Sequence, residues 1–195
     1  KFEYVDGVLT VNPIDRSNLP EKAILDCNES GSTLRFLYPL VCALGVEGTF
    51  KTAGRLSARP MSALFKILNE KGIETGNTAD GFYCKGKLSC GEYVIEGNIS
   101  SQYITGLLFA LSVLDGESKV VLSTPLESAP YVNLTLDALK NCGVEVNELQ
   151  DESFGGYEIT GGNFSSIDTN VEGDWSNSSF WLCAGVKVLG LLPHS

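Results

Sequence analysis

The segment Pro60-Met61-Ser62-Ala63-Leu64-Phe65-Lys66-Ile67-Leu68-Asn69-Glu70-Lys71-Gly72-Ile73-Glu74 has apolar residues at helical spacing, a proline at its head and a glycine at its tail. Pro60 suits a first helical turn, where its missing N–H costs nothing, and Lys71-Gly72 reads as the stop. About 70 residues later the arrangement returns, in a helix preceded by Pro130 and ending at Cys142-Gly143-Val144-Glu145. Each segment leads into a hairpin, Ala79-Asp80-Gly81-Phe82-Tyr83 in one case and Phe154-Gly155-Gly156-Tyr157 in the other. A strand and a helix headed by hydroxyl residues come before each segment, so the unit is β-α-β-α-β-β. Two copies of that unit predict an α/β (α+β) fold built of layers.

The individual strands are expected at Val8–Val11, Ala23–Asp26, Thr49–Ala53, Tyr93–Glu96, Lys119–Ser123 and Glu145–Leu149. The helices are expected at Ser32–Leu44, Pro60–Lys71, Ser101–Leu114, Tyr131–Asn141 and Asn177–Val186. Phe2 to Leu9 resembles the closing hairpin of an earlier unit, and Val171 to Ser176 opens into a helix like the start of a further one. The chain thus reads as two whole units, with part of one before them and part of another after.

Its 195 residues carry 24 Asp and Glu against 14 Lys and Arg, a formal charge of −10, with 43% hydrophobic residues. That composition supports a sizeable core and argues against a nucleic-acid partner, which needs clustered Lys and Arg. The apolar run Ile104 to Val113 is too short to cross a bilayer, and no leader pattern opens the sequence. Six dispersed cysteines, Cys27, Cys42, Cys84, Cys90, Cys142 and Cys183, form no C-x-x-C pair. They are expected as reduced thiols in a cytoplasmic protein. The single histidine, His194, stands at the end of the sequence, so a His-based general base or a His-rich metal site is not expected.

Four polar clusters occupy equivalent joints of the repeat. Asn28-Glu29-Ser30-Gly31-Ser32-Thr33-Leu34-Arg35 precedes an apolar helix, whose exposed N–H groups and positive dipole end can receive an anion beside Arg35. An ordinary Ser/Thr cap explains the same residues. Gly97-Asn98-Ile99-Ser100-Ser101-Gln102 has more donors and acceptors than a cap uses. Arg55-Leu56-Ser57-Ala58-Arg59-Pro60 holds two of the four arginines, suited either to bidentate binding of an anion or to a solvated surface. Glu127-Ser128-Ala129-Pro130-Tyr131 is the matching joint in the second unit, where turn chemistry is the plain alternative. Repeats stacked about one axis bring such joints together, and that convergence points to a pocket for a small anionic substrate. No nucleophile elbow, P-loop or dinucleotide fingerprint is present.

The same residues resemble the enolpyruvyl transferases, most closely the branch acting on shikimate 3-phosphate. Glu29 to Arg35 is similar to that family's Asn-Ala/Ser-Gly-Thr-x-x-Arg segment, Arg59-Pro60-Met61 to its Arg-Pro-Met/Ile segment and Gly97 to Thr105 to its Gly-x-x-Ser-Ser-Gln-x-x-Thr signature. Ser128-Ala129-Pro130-Tyr131 is similar to its Ser-x-Pro-Tyr, and Val171 to Ser176 to its Val-Glu-Gly-Asp-x-Ser crossover.

The resemblance implies β-α-β-α-β-β units with helices packed inside sheets. Residues 1–170 would form an N-terminal-type domain, its first unit truncated and two complete, and residues 171–195 the crossover and start of a second. It implies transfer of the enolpyruvyl group of phosphoenolpyruvate to the 5-hydroxyl of shikimate 3-phosphate, releasing phosphate, with no cofactor and no metal. Ser100, Ser101, Gln102, Ser128 and Tyr131 would hold shikimate 3-phosphate, and Gly31, Arg35, Arg59 and Gln102 would hold phosphoenolpyruvate.

The family's Lys-Ser-x-x-x-Arg motif and its acidic base are absent from this sequence, so no catalytic residue is assigned, and the chain is expected to bind substrate yet be inactive without the second domain. Phe36 stands where many members have Pro, and Ser32 where they have Thr. The alternatives are the sister transferase acting on UDP-N-acetylglucosamine, whose reactive loop cysteine has no counterpart in Gly54 to Ala58, or a non-catalytic binding domain.

Overall fold

Two four-stranded sheets carry the repeat in a computed structural model that describes residues 2–150 and 153–192; His194 lies outside them. The first unit runs β3 (Lys22–Asp26), α1 (Gly31–Leu44), β4 (Glu47–Lys51), a 3-10 turn at Leu56–Ala58, α2 (Ser62–Glu70), β5 (Glu74–Thr78) and β6 (Gly81–Lys85). The second runs β7 (Glu92–Ile95), α3 (Ser101–Ser112), β8 (Gly116–Leu122), α4 (Ala129–Asn141), β9 (Glu145–Glu148) and β10 (Gly156–Gly161). The sheet orders, β3-β4-β6-β5 and β7-β8-β10-β9, are the same path traced twice. In each sheet the first pair is parallel, joined by a helical crossover, and the other pairs are antiparallel.

Ahead of the units, β1 (Phe2–Val5) and β2 (Val8–Val11) form an exposed hairpin through Asp6 and Gly7, both at positive φ as the two-residue turn requires. After them, α5 (Trp175–Cys183) is capped by Asp174, whose carboxylate accepts from the Ser176 and Asn177 amides at 2.8 and 3.2 Å. Among the described residues no helix is long and apolar enough to cross a membrane.

Alternation sets which faces meet. On β7, Tyr93 and Ile95 turn inward while Glu92 and Val94 face out, and α3 is buried nearly all round from Tyr103 to Leu111. Leu107, Leu108 and Leu111 are fully buried, each stabilising the fold by roughly 1.5–3 kcal/mol against exposure. In the first unit Tyr38 stacks on Phe50 at 4.7 Å, and Phe65 packs edge-on to Phe82 at 5.8 Å.

The two units lock together where α1 crosses α3. Pro39 lies inside α1 and removes the N–H that would bond the Arg35 carbonyl. That carbonyl faces Gly106 of α3, where a Cβ would come within 2.3 Å of the Arg35 oxygen and 3.0 Å of Pro39 Cγ. Only glycine lets the helices approach this closely.

The two prolines exchange their expected places. Pro60 precedes the Met61 cap of α2 instead of standing in its first turn, because the 3-10 turn takes up the residues before it. Pro130 lies inside the first turn of α4, since Ser128 is the cap. All six cysteines are free thiols; Cys27, Cys42 and Cys84 are buried as small apolar residues, whereas Cys90 and Cys183 are exposed.

A Gly106→Ala variant should lose about 3 kcal/mol of stability, the upper end of the range for overpacking, in urea denaturation followed by circular dichroism.

Candidate functional site

Three helix N-termini open on one groove of about 710 Å³. α1 contributes Ser32 and Phe36, α3 with its cap contributes Ser100, Ser101, Gln102 and Thr105, and α4 with its cap contributes Ser128, Tyr131 and Thr135. Aligned N–H groups at such ends give partial positive charge without any basic side chain.

The caps differ in a way that matters. Ser30 caps α1 and its Oγ accepts from the Thr33 amide at 3.2 Å. Ser100 and Ser128 cap α3 and α4, but neither side chain makes a capping hydrogen bond. Ser128 is held at φ 59°, a left-handed conformation that costs a non-glycine residue on the order of 1–2 kcal/mol. The Glu127 amide donating to the Gly97 carbonyl at 3.1 Å ties the two loops side by side, and both serines line one groove.

The arginines meet at the head of α1. The Ala53 amide donates to the Asn28 carbonyl at 2.7 Å and the Cys27 amide to the Lys51 carbonyl at 2.9 Å, which lays the Arg55 to Pro60 segment against the α1 loop. A Cβ on Gly31 would lie 3.0 Å from Arg35 Nη1 and 3.3 Å from Arg59 Nη1. Two guanidinium groups thus converge on Gly31, where a side chain would crowd both.

Arg35 also donates through Nη1 to Gln102 Oε1 at 2.6 Å, and its guanidinium carbon stands 5.5 Å from the centre of the Tyr103 ring. Its Nε is buried with no hydrogen-bond partner. Burial together with the nearby Asp26 charge raises the Cys27 thiol, which makes that neighbour a poor nucleophile.

The sequence-derived residues therefore fall into two adjoining sets. Ser100, Ser101, Gln102, Ser128 and Tyr131 share the groove, while Gly31, Arg35 and Arg59 form a cationic corner joined to it by the Arg35–Gln102 hydrogen bond. Arg55 stays exposed at the head of the 3-10 turn. Sequence reasoning missed the groove floor, where the buried hydroxyls of Thr105 and Thr135 pair at 2.9 Å and Phe36 meets Phe109 edge-on at 5.7 Å. Thr105 closes the Gly97 to Thr105 signature and Phe36 is a departure from the family pattern, whereas the helical spacing of Phe109 and Thr135 matches a core face.

The EPSP synthase (3-phosphoshikimate 1-carboxyvinyltransferase) family model matches residues 2–190. A 3-phosphoshikimate 1-carboxyvinyltransferase from Clostridium beijerinckii is 44% identical over 191 residues, covering 94% of this chain and 43% of its own. One from Clostridium novyi is 41% identical, covering 85% of this chain and 38% of its own. The chain thus spans less than half the length of these curated relatives. The solved EPSP synthase of Acinetobacter baumannii shares the fold at a TM-score of 0.70 with 22% identity, over 93% of this chain and 41% of that one.

Capping and non-capping serines should separate by stability. Ser30→Ala should cost about 1 kcal/mol, the usual loss of a cap, whereas Ser100→Ala and Ser128→Ala should each stay within about 0.5 kcal/mol in urea titrations.

Proposed function

The chain belongs to the EPSP synthase (3-phosphoshikimate 1-carboxyvinyltransferase) family, and from that premise we propose that its groove binds shikimate 3-phosphate while its cationic corner receives phosphoenolpyruvate. The reaction it serves, in the shikimate route to chorismate and aromatic amino acids, transfers the enolpyruvyl group to the 5-hydroxyl of shikimate 3-phosphate and releases phosphate. The observation that carries this reading is the pair of cap serines, Ser100 and Ser128, whose hydroxyls are not spent on capping although both head helices that open on one groove.

Each role follows from the chemistry of the position. Ser100, Ser101 and Ser128 present hydroxyls and amides to the shikimate phosphate, with Tyr131 beside them. Gln102 stands between the two subsites, and its carbonyl oxygen is occupied by Arg35, which directs its NH₂ group elsewhere as a donor. Arg59 offers a bidentate fork to phosphoenolpyruvate, Gly31 leaves room for it, and Arg35 supplies the second positive charge with an unpartnered Nε. Holding two anions side by side in fixed dipoles lowers the barrier by positioning and by electrostatic stabilisation.

Among the described residues, the groove lining contains no carboxylate, histidine or lysine. Proton transfer is assigned to groups outside this groove, and in this reading the chain by itself binds without turnover. In this reading residues 1–170 are the N-terminal-type domain, residues 171–195 are the crossover and start of the second, and the enzyme works in the cytoplasm.

Calorimetry tests the assignment. Shikimate 3-phosphate should bind, and Ser100→Ala or Ser128→Ala should weaken it about tenfold, the loss expected for one hydrogen bond to a charged group. Unchanged affinity in both variants, or tighter binding of UDP-N-acetylglucosamine, would overturn it. Arg59→Lys should weaken phosphoenolpyruvate binding by a similar factor, because a point charge cannot reproduce the fork. The chain alone, given both substrates, should release no phosphate.

A further inference from the structure

Tyr103 is buried in the first turn of α3, next to Gln102, and it touches two parts of the cationic corner. Its ring lies under the Arg35 guanidinium. Its hydroxyl donates to the backbone carbonyl of Pro60, 43 positions away in the chain. Pro60 follows Arg59, whose Nη1 reaches the head of α1 at Gly31.

Between the buried side chains of Leu56 and Met61, the segment that carries Arg59 is exposed. Its only helical element is the single 3-10 turn Leu56–Ala58, which has no side-chain cap. Leu56, 2% exposed, anchors its start. At its end Met61 is buried at the cap of α2, and the Tyr103 hydroxyl holds the Pro60 carbonyl between that cap and Arg59.

Resting on the function proposed above, we propose that Tyr103 is a positioning residue: its hydroxyl fixes the turn that aims Arg59 at phosphoenolpyruvate. It does so from the helix whose first residues form the shikimate 3-phosphate subsite. The placement of one anion's ligands is thereby built into the placement of the other's.

A buried tyrosine whose hydroxyl simply finds a backbone acceptor is the ordinary alternative. Tyr38 is that case in the same molecule, fully buried and donating to the Tyr83 carbonyl from within the core cluster of Phe50 and Phe65. Tyr38→Phe removes the same chemistry where no proposed ligand group depends on it, which makes it the control for Tyr103→Phe.

Two measurements on the chain decide the matter. Amide hydrogen exchange at Ala58 and Arg59, whose N–H groups bond the Arg55 and Leu56 carbonyls, should quicken roughly fivefold in Tyr103→Phe and stay unchanged in Tyr38→Phe. Calorimetry should show phosphoenolpyruvate, added with saturating shikimate 3-phosphate, binding about tenfold more weakly to Tyr103→Phe, while shikimate 3-phosphate alone stays within about twofold. Unchanged exchange at the turn overturns the proposal, as does equal weakening of both ligands or an equal effect from Tyr38→Phe. If the unmodified chain binds neither ligand, the function proposed above fails, and the exchange result still decides whether Tyr103 holds the turn.

Discussion

The close crossing of α1 and α3 is the contact on which the rest of the molecule depends. It exists because Pro39 takes an amide out of α1 and Gly106 removes a side chain from α3, so that the freed Arg35 carbonyl rests against a bare Cα. The same residue then works at both ends. Its backbone marks the crossing, and its side chain reaches Gln102 on the neighbouring helix. A packing contact between two repeats is thus accompanied by a hydrogen bond between two parts of the candidate site. Moving the helices apart by the width of a methyl group would separate the cationic corner from the hydroxyl-lined groove.

The repeat was legible because it is written in punctuation and period. Glycine after each second helix, a proline near its start and the hairpin beyond are short-range signals, and they recur in order. Helix starts were less legible. Pro60 and Pro130 look alike in sequence, yet one stands before its helix and the other inside it. The difference comes from neighbours distant in the chain: the Pro60 carbonyl accepts from Tyr103 while a 3-10 turn uses the preceding residues, and at the other joint Ser128 adopts the left-handed cap.

The candidate site was legible to the extent that it consists of polar residues out of place. Surplus hydroxyls at a helix start and arginines crowded into an acidic chain both stand out against what capping and solvation require. Thr135 and Tyr103 did not stand out, and Thr105 did so only as the last residue of a motif, because each occupies a helical position that a core residue could fill. Their contribution lies in hydroxyl partners on other helices or loops, and no local pattern records a contact across 30 or 43 residues.

The nearly all-round burial of α3 has a thermodynamic consequence. One side of it covers its own sheet and the other is covered by α1, which belongs to the first unit. The repeat therefore duplicates shape without duplicating autonomy. Severed in the link between β6 and β7, each half would present an apolar helix face to water, and neither would keep its free energy of folding. Local opening that parts α1 from α3 therefore exposes apolar surface of both units and separates the two halves of the candidate site in a single event.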